Sequence, residues 1–264
     1  AAEALGKASL YEGVKTTTDS DAFKAVANEK ADPGSYSIEV QQLARSQSLV
    51  SAGQAGVDDK IGSGGKITLS LGDGAGNVSE TVDIDLADAD SSLSGIRDAI
   101  NAADIGVNAS IVNDGSGTPY RLVLSSNTTG TASQISVSVA ENNGDGSTPL
   151  GDLLNYDSTA GSGAMSQTVA ARDAKLSVNG IEIVSQTNRV EEAIEGVTLT
   201  LSKTTSEPQS LTATRDTDSV KAALDRFVKA YNSVNTLSDK LTAFDSEKEI
   251  SGVLLGDSTA RTAE

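Results

Sequence analysis

Between Val82 and Val112 the apolar positions change period twice. Val82, Ile84 and Leu86 alternate with polar residues, the pattern of a half-buried strand. A polar Asp-Ala-Asp-Ser-Ser run at 88–92 stops it. Leu93, Ile96 and Ile100 then recur at i, i+3 and i+7, which predicts a short amphipathic helix. A glycine breaks that helix, and Val107, Ala109 and Ile111 alternate again. The same order returns, compressed, at 174–201. There Asn179-Gly180 predicts a tight hairpin between two short strands. A helical turn carrying Val190 and Ile194 is expected next, broken by Gly196, before Val197, Leu199 and Leu201 alternate. Two copies of strand–turn–strand–helix–Gly–strand point to a duplicated structural module and not to an active site.

The rest of the chain frames these modules. Residues 1–11 are Ala- and Leu-rich and suit the end of a leg helix. Residues 12–32 read as polar and irregular, with an extended run at Thr16–Thr18 and a turn at Pro33-Gly34. Tyr36, Ile38 and Val40 alternate in a strand over 35–43. A Gly- and Ser-rich linker at 51–65 leads to strands near 66–71 and 78–85, a helix near 92–102, and strands near 106–113, 119–125 and Ile135–Val139. The Gly-rich stretch 141–166 returns the chain outward, and Leu211–Thr214 adds a strand after the second module. The organisation predicted is nested: a β-rich domain at 51–165 is inserted into an outer β-rich domain built from 12–50 and 166–216.

From Thr217 the period changes once more. Val220, Leu224, Phe227, Tyr231, Val234 and Leu241 follow the 4-3 spacing of a heptad seam, interrupted by Ser238. Asp216 or Asp218 can cap the helix start by accepting from free backbone N–H groups. The helix should run to about Phe244, roughly 40 Å. Its seam must pack on another helix, near residues 1–11 or preceding Ala1, or on a neighbouring subunit. Residues 252–264 read as the start of another helix, so 217–264 forms a truncated helical leg. The fold class predicted is α+β, mainly β, with two β-rich domains and a coiled-coil-like leg. The chain opens inside a helical pattern and ends without a stop signal, as an excised segment would.

Composition removes most chemistry. The 264 residues include no Cys, no His, no Trp and one Met, and 3% are aromatic. Without His the commonest general base and metal ligand is missing. Without Cys there is no thiol nucleophile, disulfide or zinc-thiolate site. Zero Cys fits a cytosolic protein, and equally one exported unfolded through a narrow channel. With 37 acidic and 20 basic residues the formal charge is −17, which argues against nucleic acid and anionic lipid as partners. No apolar run approaches the ~18 residues of a membrane-spanning helix.

The acidic Gly-rich loops are the remaining candidates. Asp83, Asp85, Asp88 and Asp90 lie close together, and 72–77 (GDGAGN) and 142–147 (NNGDGS) resemble pieces of calcium loops. None has the ligand spacing of an EF-hand loop. Asp83 and Asp85 alternate with Val82 and Ile84 and should face solvent. The GDGAGN segment joins two strands, not a strand to a helix, so no helix N-terminus is there to cradle a phosphate. Gly65-Lys66 lacks the spacing of a phosphate loop. A glycosidase carboxylate pair would want aromatic platforms, and Phe227 and Tyr231 already belong to the seam. We expect no enzyme activity, no cofactor and no metal.

Five segments occur in an order that resembles one family: 36–51, 91–112, 174–201, 230–237 and 252–261. Together they resemble the flagellar filament-capping proteins, also called hook-associated protein 2. The two modules resemble the "IN" repeat of flagellins and hook-associated proteins, with Ile100-Asn101 as the eponymous pair and Ile194-Glu195 in its place in the second copy. The resemblance implies a ring-shaped homo-oligomer at the distal end of the growing filament, which helps flagellin fold and polymerise and prevents its loss. It implies export through the flagellar channel to an extracellular flagellum tip, a role in motility, and flagellin and hook–filament junction proteins as partners. Within that picture Val220, Leu224, Phe227, Tyr231, Val234 and Leu241 form a helix-packing and assembly seam. The alternative is an adhesin or carbohydrate-binding module, using outer loops such as 141–163.

Overall fold

The computed structural model describes residues 2–141, 143–242, 244–245 and 250–251. The elements in chain order are α1 (Ala2–Leu5), α2 (Ala8–Glu12), β1 (Val14–Thr18), β2 (Phe23–Ala27), β3 (Gly34–Gln42) and β4 (Ser48–Val50). Next come β5 (Gly65–Gly72), β6 (Val78–Leu86), α3 (Leu93–Ala103), β7 (Val107–Asn113), β8 (Tyr120–Ser126) and β9 (Gln134–Glu141). They are followed by α4 (Gly151–Leu154), β10 (Tyr156–Asp157), β11 (Ser162–Gly163) and β12 (Ser166–Val169). The last are β13 (Ala174–Val178), β14 (Ile181–Ser185), β15 (Arg189–Ile194), β16 (Val197–Leu201), β17 (Gln209–Arg215) and α5 (Thr217–Thr242), before a two-residue strand pair at Phe244–Asp245 and Ile250–Ser251. The chain is thus α+β and mainly β. It divides into two compact units, one of Thr18–Ala25 and Ser35–Leu211, the other of Ala1–Thr17, Val26–Gly34 and Thr212–Glu264.

In the larger unit one hydrophobic core runs from Leu49 to Met165. Two sheets enclose it, of strand order β11-β10-β9-β5-β6 and β12-β4-β8-β7. Helix α3 lays Leu93, Ile96 and Ile100 into it, each fully buried. Ser92 starts this helix by accepting from the Gly95 N–H at 3.2 Å. A Cβ at Gly95 would lie 2.1 Å from the Asp90 carbonyl oxygen, so only glycine lets the preceding turn fold back so closely. Ile100 and Asn101 divide the labour at the helix end. Ile100 fills the core, while the Asn101 amide donates to the Ala109 carbonyl (2.9 Å) and accepts from the Ala109 N–H (2.8 Å). Because β7 is an edge strand, that amide acts as one rung of a missing neighbour strand.

Three sequence expectations are corrected in this unit. The inserted domain was expected over 51–165, but β4 pairs with β8 through Leu49↔Leu124, and β12 pairs with β4. Strands at 48–50 and 166–169 therefore belong to the same sheet as β7 and β8. The Gly-rich stretch 141–166 is not wholly an outward excursion. Its centre forms α4 and β10, and Leu150, Leu153, Leu154, Tyr156 and Met165 enter the core. Sparse apolar residues among glycines carry no period, which hid this return. Finally, the second module has no helical turn at Val190–Ile194. Those residues are strand β15, with Val190 opposite Leu199 and Ile194 opposite Val197 across a register shift. Six residues are too few to offset helix nucleation, whereas pairing with β16 buries both side chains.

The Asn179-Gly180 hairpin forms as its sequence dictates. Both residues have positive φ (51° and 82°), the pair of left-handed conformations that a two-residue turn requires. Strands β13 and β14 pair from Val178↔Ile181 to Ala174↔Ser185.

A polar junction ties the 129–132 turn to the segments outside the Leu49–Met165 core. The Thr131 N–H and hydroxyl donate to the Asp173 carboxylate at 2.7 and 2.9 Å. The Thr129 hydroxyl donates to the Gln186 carbonyl, the Ala132 N–H to the Gln186 side-chain oxygen, and the Gly130 N–H to the Arg45 carbonyl. Fully buried Gln47 accepts from the Ile135 N–H at 2.6 Å through its side chain.

In the smaller unit, residues 12–32 are not irregular throughout. Val14–Thr17 belong to β1, which neighbours β17. Threonine and valine runs suit an extended backbone even where alternation is weak. Helices α1 and α2 lie against α5. The Tyr11 hydroxyl donates to the Leu5 carbonyl at 2.9 Å, bracing the two short helices. Residues 12–17, 26–34 and 212–216, expected in the outer β-rich domain, cluster here with the helices. The segment 252–264, expected to begin another helix, lies outside the described residues.

Candidate functional site

Helix α5 begins at a built N-terminus. Asp216 caps it, accepting from the Ser219 N–H (3.1 Å) and hydroxyl (2.5 Å). These bonds, the hydroxyl first, hold the Asp216 carboxyl below the usual carboxylate range. The Asp216 N–H donates to the Gly13 carbonyl, and the Arg215 guanidinium donates to the Glu12 carbonyl. Asp218 in the first turn pairs with Lys15 of β1 and holds its ammonium above the usual lysine range. The charge of Asp218 also complements the positive end of the helix dipole.

Beyond this anchor α5 carries an exposed apolar stripe. Of the six seam residues, Val220, Phe227 and Leu241 are half-buried. Leu224, Tyr231 and Val234 are 47%, 58% and 65% exposed. Val228 and Leu237 are also exposed and widen the stripe. The heptad reading missed them because they flank the 4-3 positions. Among the described side chains of α5, Ala223 is the buried one, and its small side chain carries little signal in a hydrophobic pattern. Phe227 and Tyr231 stack at 6.4 Å between ring centroids, 27° from parallel. The helix ends at Thr242, and Phe244, expected as its last turn, belongs to the following strand pair. The exposed apolar side chains run along α5 from Leu224 to Leu237.

The acidic loops have local employment. The Asp73 carboxylate accepts from the Asn77 side-chain amide (2.7 Å), the Ala75 N–H (2.8 Å) and the Asn77 N–H, closing the β5–β6 turn. These bonds lower its pKa. Asp145 accepts from the Ser147 hydroxyl and N–H and is lowered likewise. Asp83 accepts from Thr68 and pairs with Lys66, while Asp88 pairs with Lys60. Asp85 and Asp90 are exposed. Among the described residues no three acidic, His or Cys side chains converge on a point that could hold a metal ion. No described helix is long and apolar enough to cross a membrane.

Comparison with known proteins places the whole chain in one context. Residues 1–47 match the family described as Flagellar hook-associated protein 2 N-terminus, 66–128 the Flagellin hook IN motif, and 171–264 the Flagellar hook-associated protein 2 C-terminus. The IN match covers the first module. The chain is 37% identical over 293 residues to the flagellar hook-associated protein 2 of Xenorhabdus nematophila, covering 99% of this chain and 59% of that protein. It is 38% identical to the Escherichia coli (strain K12) protein of the same name, covering 99% of this chain and 56% of that protein. The chain thus spans a little over half the length of these relatives. Among solved structures it resembles the D1-D2-D3 domains of the flagellar cap protein FliD from Escherichia coli, with a TM-score of 0.82 and 38% identity, over 99% of this chain and 69% of that one. It also resembles the D2-D3 domains of the Serratia marcescens cap protein, with a TM-score of 0.63 and 42% identity, over 73% of this chain and 100% of that one. These relatives overturn the alternative of an adhesin or carbohydrate-binding module.

Proposed function

The chain belongs to the flagellar hook-associated protein 2 family, and from that premise we propose that it is part of a cap at the distal end of a bacterial flagellar filament. In this role it promotes flagellin folding and polymerisation and prevents flagellin loss. The observation that carries the reading is the match along 99% of the chain to a flagellar cap protein structure at a TM-score of 0.82. The job is geometric, and the chain has the parts for it: β-rich bodies, an acidic surface and a helix with an apolar stripe. It works outside the cell at the flagellum tip, after export through the flagellar channel. Zero cysteines suit that route, because no crosslink has to be opened and remade.

The cap is a ring-shaped homo-oligomer in this proposal, in contact with flagellin and the hook–filament junction proteins. Val220, Leu224, Phe227, Tyr231, Val234 and Leu241 form its helix-packing and assembly seam. Exposed Leu224, Tyr231 and Val234 support this, since a solvated apolar stripe gains free energy when covered. The decisive experiment deletes the gene and complements it. Cells without the protein should shed flagellin into the medium and swim poorly, and electron microscopy should place the restored protein on filament tips. Intact filaments and normal swimming in the deletion strain would refute the reading.

A further inference from the structure

We propose that the cleft holding Arg45 and Arg172 docks carboxylates of a second copy of this chain, a step that rests on the self-assembly reading above and names its surface. The two arginines form an isolated antiparallel bridge. The Arg45 N–H donates to the Arg172 carbonyl at 2.8 Å, and the Arg172 N–H to the Arg45 carbonyl at 3.0 Å. Residues directly opposite in such a pair project their side chains to one face, Cβ atoms ~5 Å apart. Both side chains are exposed and line one cleft of about 400 Å³ with Lys203, Gln41 and Gln42.

Their isolation is particular to them. Every other described arginine side chain has a partner. Arg97 pairs with Asp98, Arg121 with Asp114 and Arg189 with Glu191. Arg215 and Arg226 donate to backbone carbonyls. Among the described residues, the Arg45 and Arg172 guanidiniums make no hydrogen bond and no ion pair. Lys203, in the same cleft, is matched by Asp21. Two cations with no ion pair among the described residues therefore sit directly opposite each other in a chain of net charge −17. Like charges so placed destabilise the pair that carries them. Nearby carboxylates are plentiful in the sequence, yet none of the described ones closes on this site.

An anion delivered from outside resolves the repulsion. Guanidinium forks match planar carboxylates in a bidentate fit, and two forks side by side accept a carboxylate-rich edge. A copy of the chain supplies such edges, with 17 more acidic than basic residues. Contact between a basic cleft on one copy and an acidic surface on the next is head-to-tail, the kind that closes into a ring when the rotation permits.

Sedimentation of the intact protein at low and high salt, with and without Arg45→Gln plus Arg172→Gln, tests the proposal. The double variant should self-associate at least ~10-fold more weakly at low salt, and its association should respond less to added salt. Its monomer should melt no lower than the wild type, because a repulsion has been removed and no bond lost. A wild type that assembles and a double variant that assembles equally well would overturn the docking site and leave the cap reading standing. A wild type that stays monomeric at every concentration would defeat self-assembly itself, and this site with it. If inorganic phosphate raises the wild-type melting temperature but not the variant's, while assembly is unchanged, the cleft is a small-anion site and the proposal fails.

Discussion

Replacing Asn101 with Ala tests whether the side chain that ends α3 substitutes for a strand. The amide makes two hydrogen bonds to one residue, to the Ala109 carbonyl at 2.9 Å and from its N–H at 2.8 Å. Ala109 is 3% exposed, and its backbone groups face away from β8 at the sheet edge. Each hydrogen bond contributes about 1 kcal/mol net, and stranding a dry buried group costs about 1–3 kcal/mol. Asn101 itself is exposed, so water can follow the truncation and the larger figure does not apply in full. The expected loss is therefore about 2 kcal/mol. In a cooperative unit of this size that corresponds to a melting shift of ~4–8 °C. Denaturant unfolding followed by circular dichroism measures the first quantity. Amide exchange at Ala109 supplies a local readout, since its N–H should lose protection selectively. Glu195, which follows Ile194 in the second module, is exposed and makes no such bond, so Glu195→Ala should change stability by under ~0.5 kcal/mol. If Asn101→Ala behaves like Glu195→Ala, the surrogate-strand argument is wrong.

Four further outcomes follow from the same description. Phe227→Ala should cost less than the ~3–5 kcal/mol of a fully buried phenylalanine, because Phe227 is only half-buried. Its β-sheet circular dichroism should persist while motility of cells carrying it declines; normal swimming would remove the seam from function. Arg121 and Ser116 hold the Asp114 carboxyl down to about 2, so this group adds stability above its ordinary pKa near 4 and loses it as pH falls towards 2. Asp114→Asn should therefore flatten the acid limb of a stability–pH curve between about pH 4 and 2. Limited proteolysis should nick 51–65 and 143–148 first and spare 150–157, where buried side chains hold the backbone. Early cuts within 92–125 would contradict the core at 49–165. Excess calcium should leave the melting temperature unchanged, whereas binding at 100 times the dissociation constant would add about 2.7 kcal/mol.

The parts of the fold legible in the sequence are those with an uninterrupted period. Strands β5 to β9 and helix α3 fall within two residues of expectation, because alternation and 3-4 spacing each persist long enough to be distinguished. Asn179-Gly180 was legible for a different reason, as a pair that dictates one turn type. Strand β15 was not: Val190 and Ile194 stand four apart, which suits a helix face, and a register shift lets the same spacing serve a strand. The buried return through Leu150, Leu153, Leu154 and Tyr156 was hidden by the glycines around it. On α5 the hydrophobic stripe could be read, but Ala223 as its buried contact could not. Arg45 and Arg172 lie 127 positions apart, and no local pattern announces that they meet.

The Thr129–Ala132 turn has a mechanical consequence. The body around the Leu49–Met165 core is entered near Gln47 and left near Arg172, two crossings that by themselves form a hinge. The Thr131 bonds to Asp173 reinforce the exit crossing, and the bonds from Thr129 and Ala132 to Gln186 add a fastening to a separate segment. The bonds to Gln186 oppose the hinge rotation that the two crossings alone would allow.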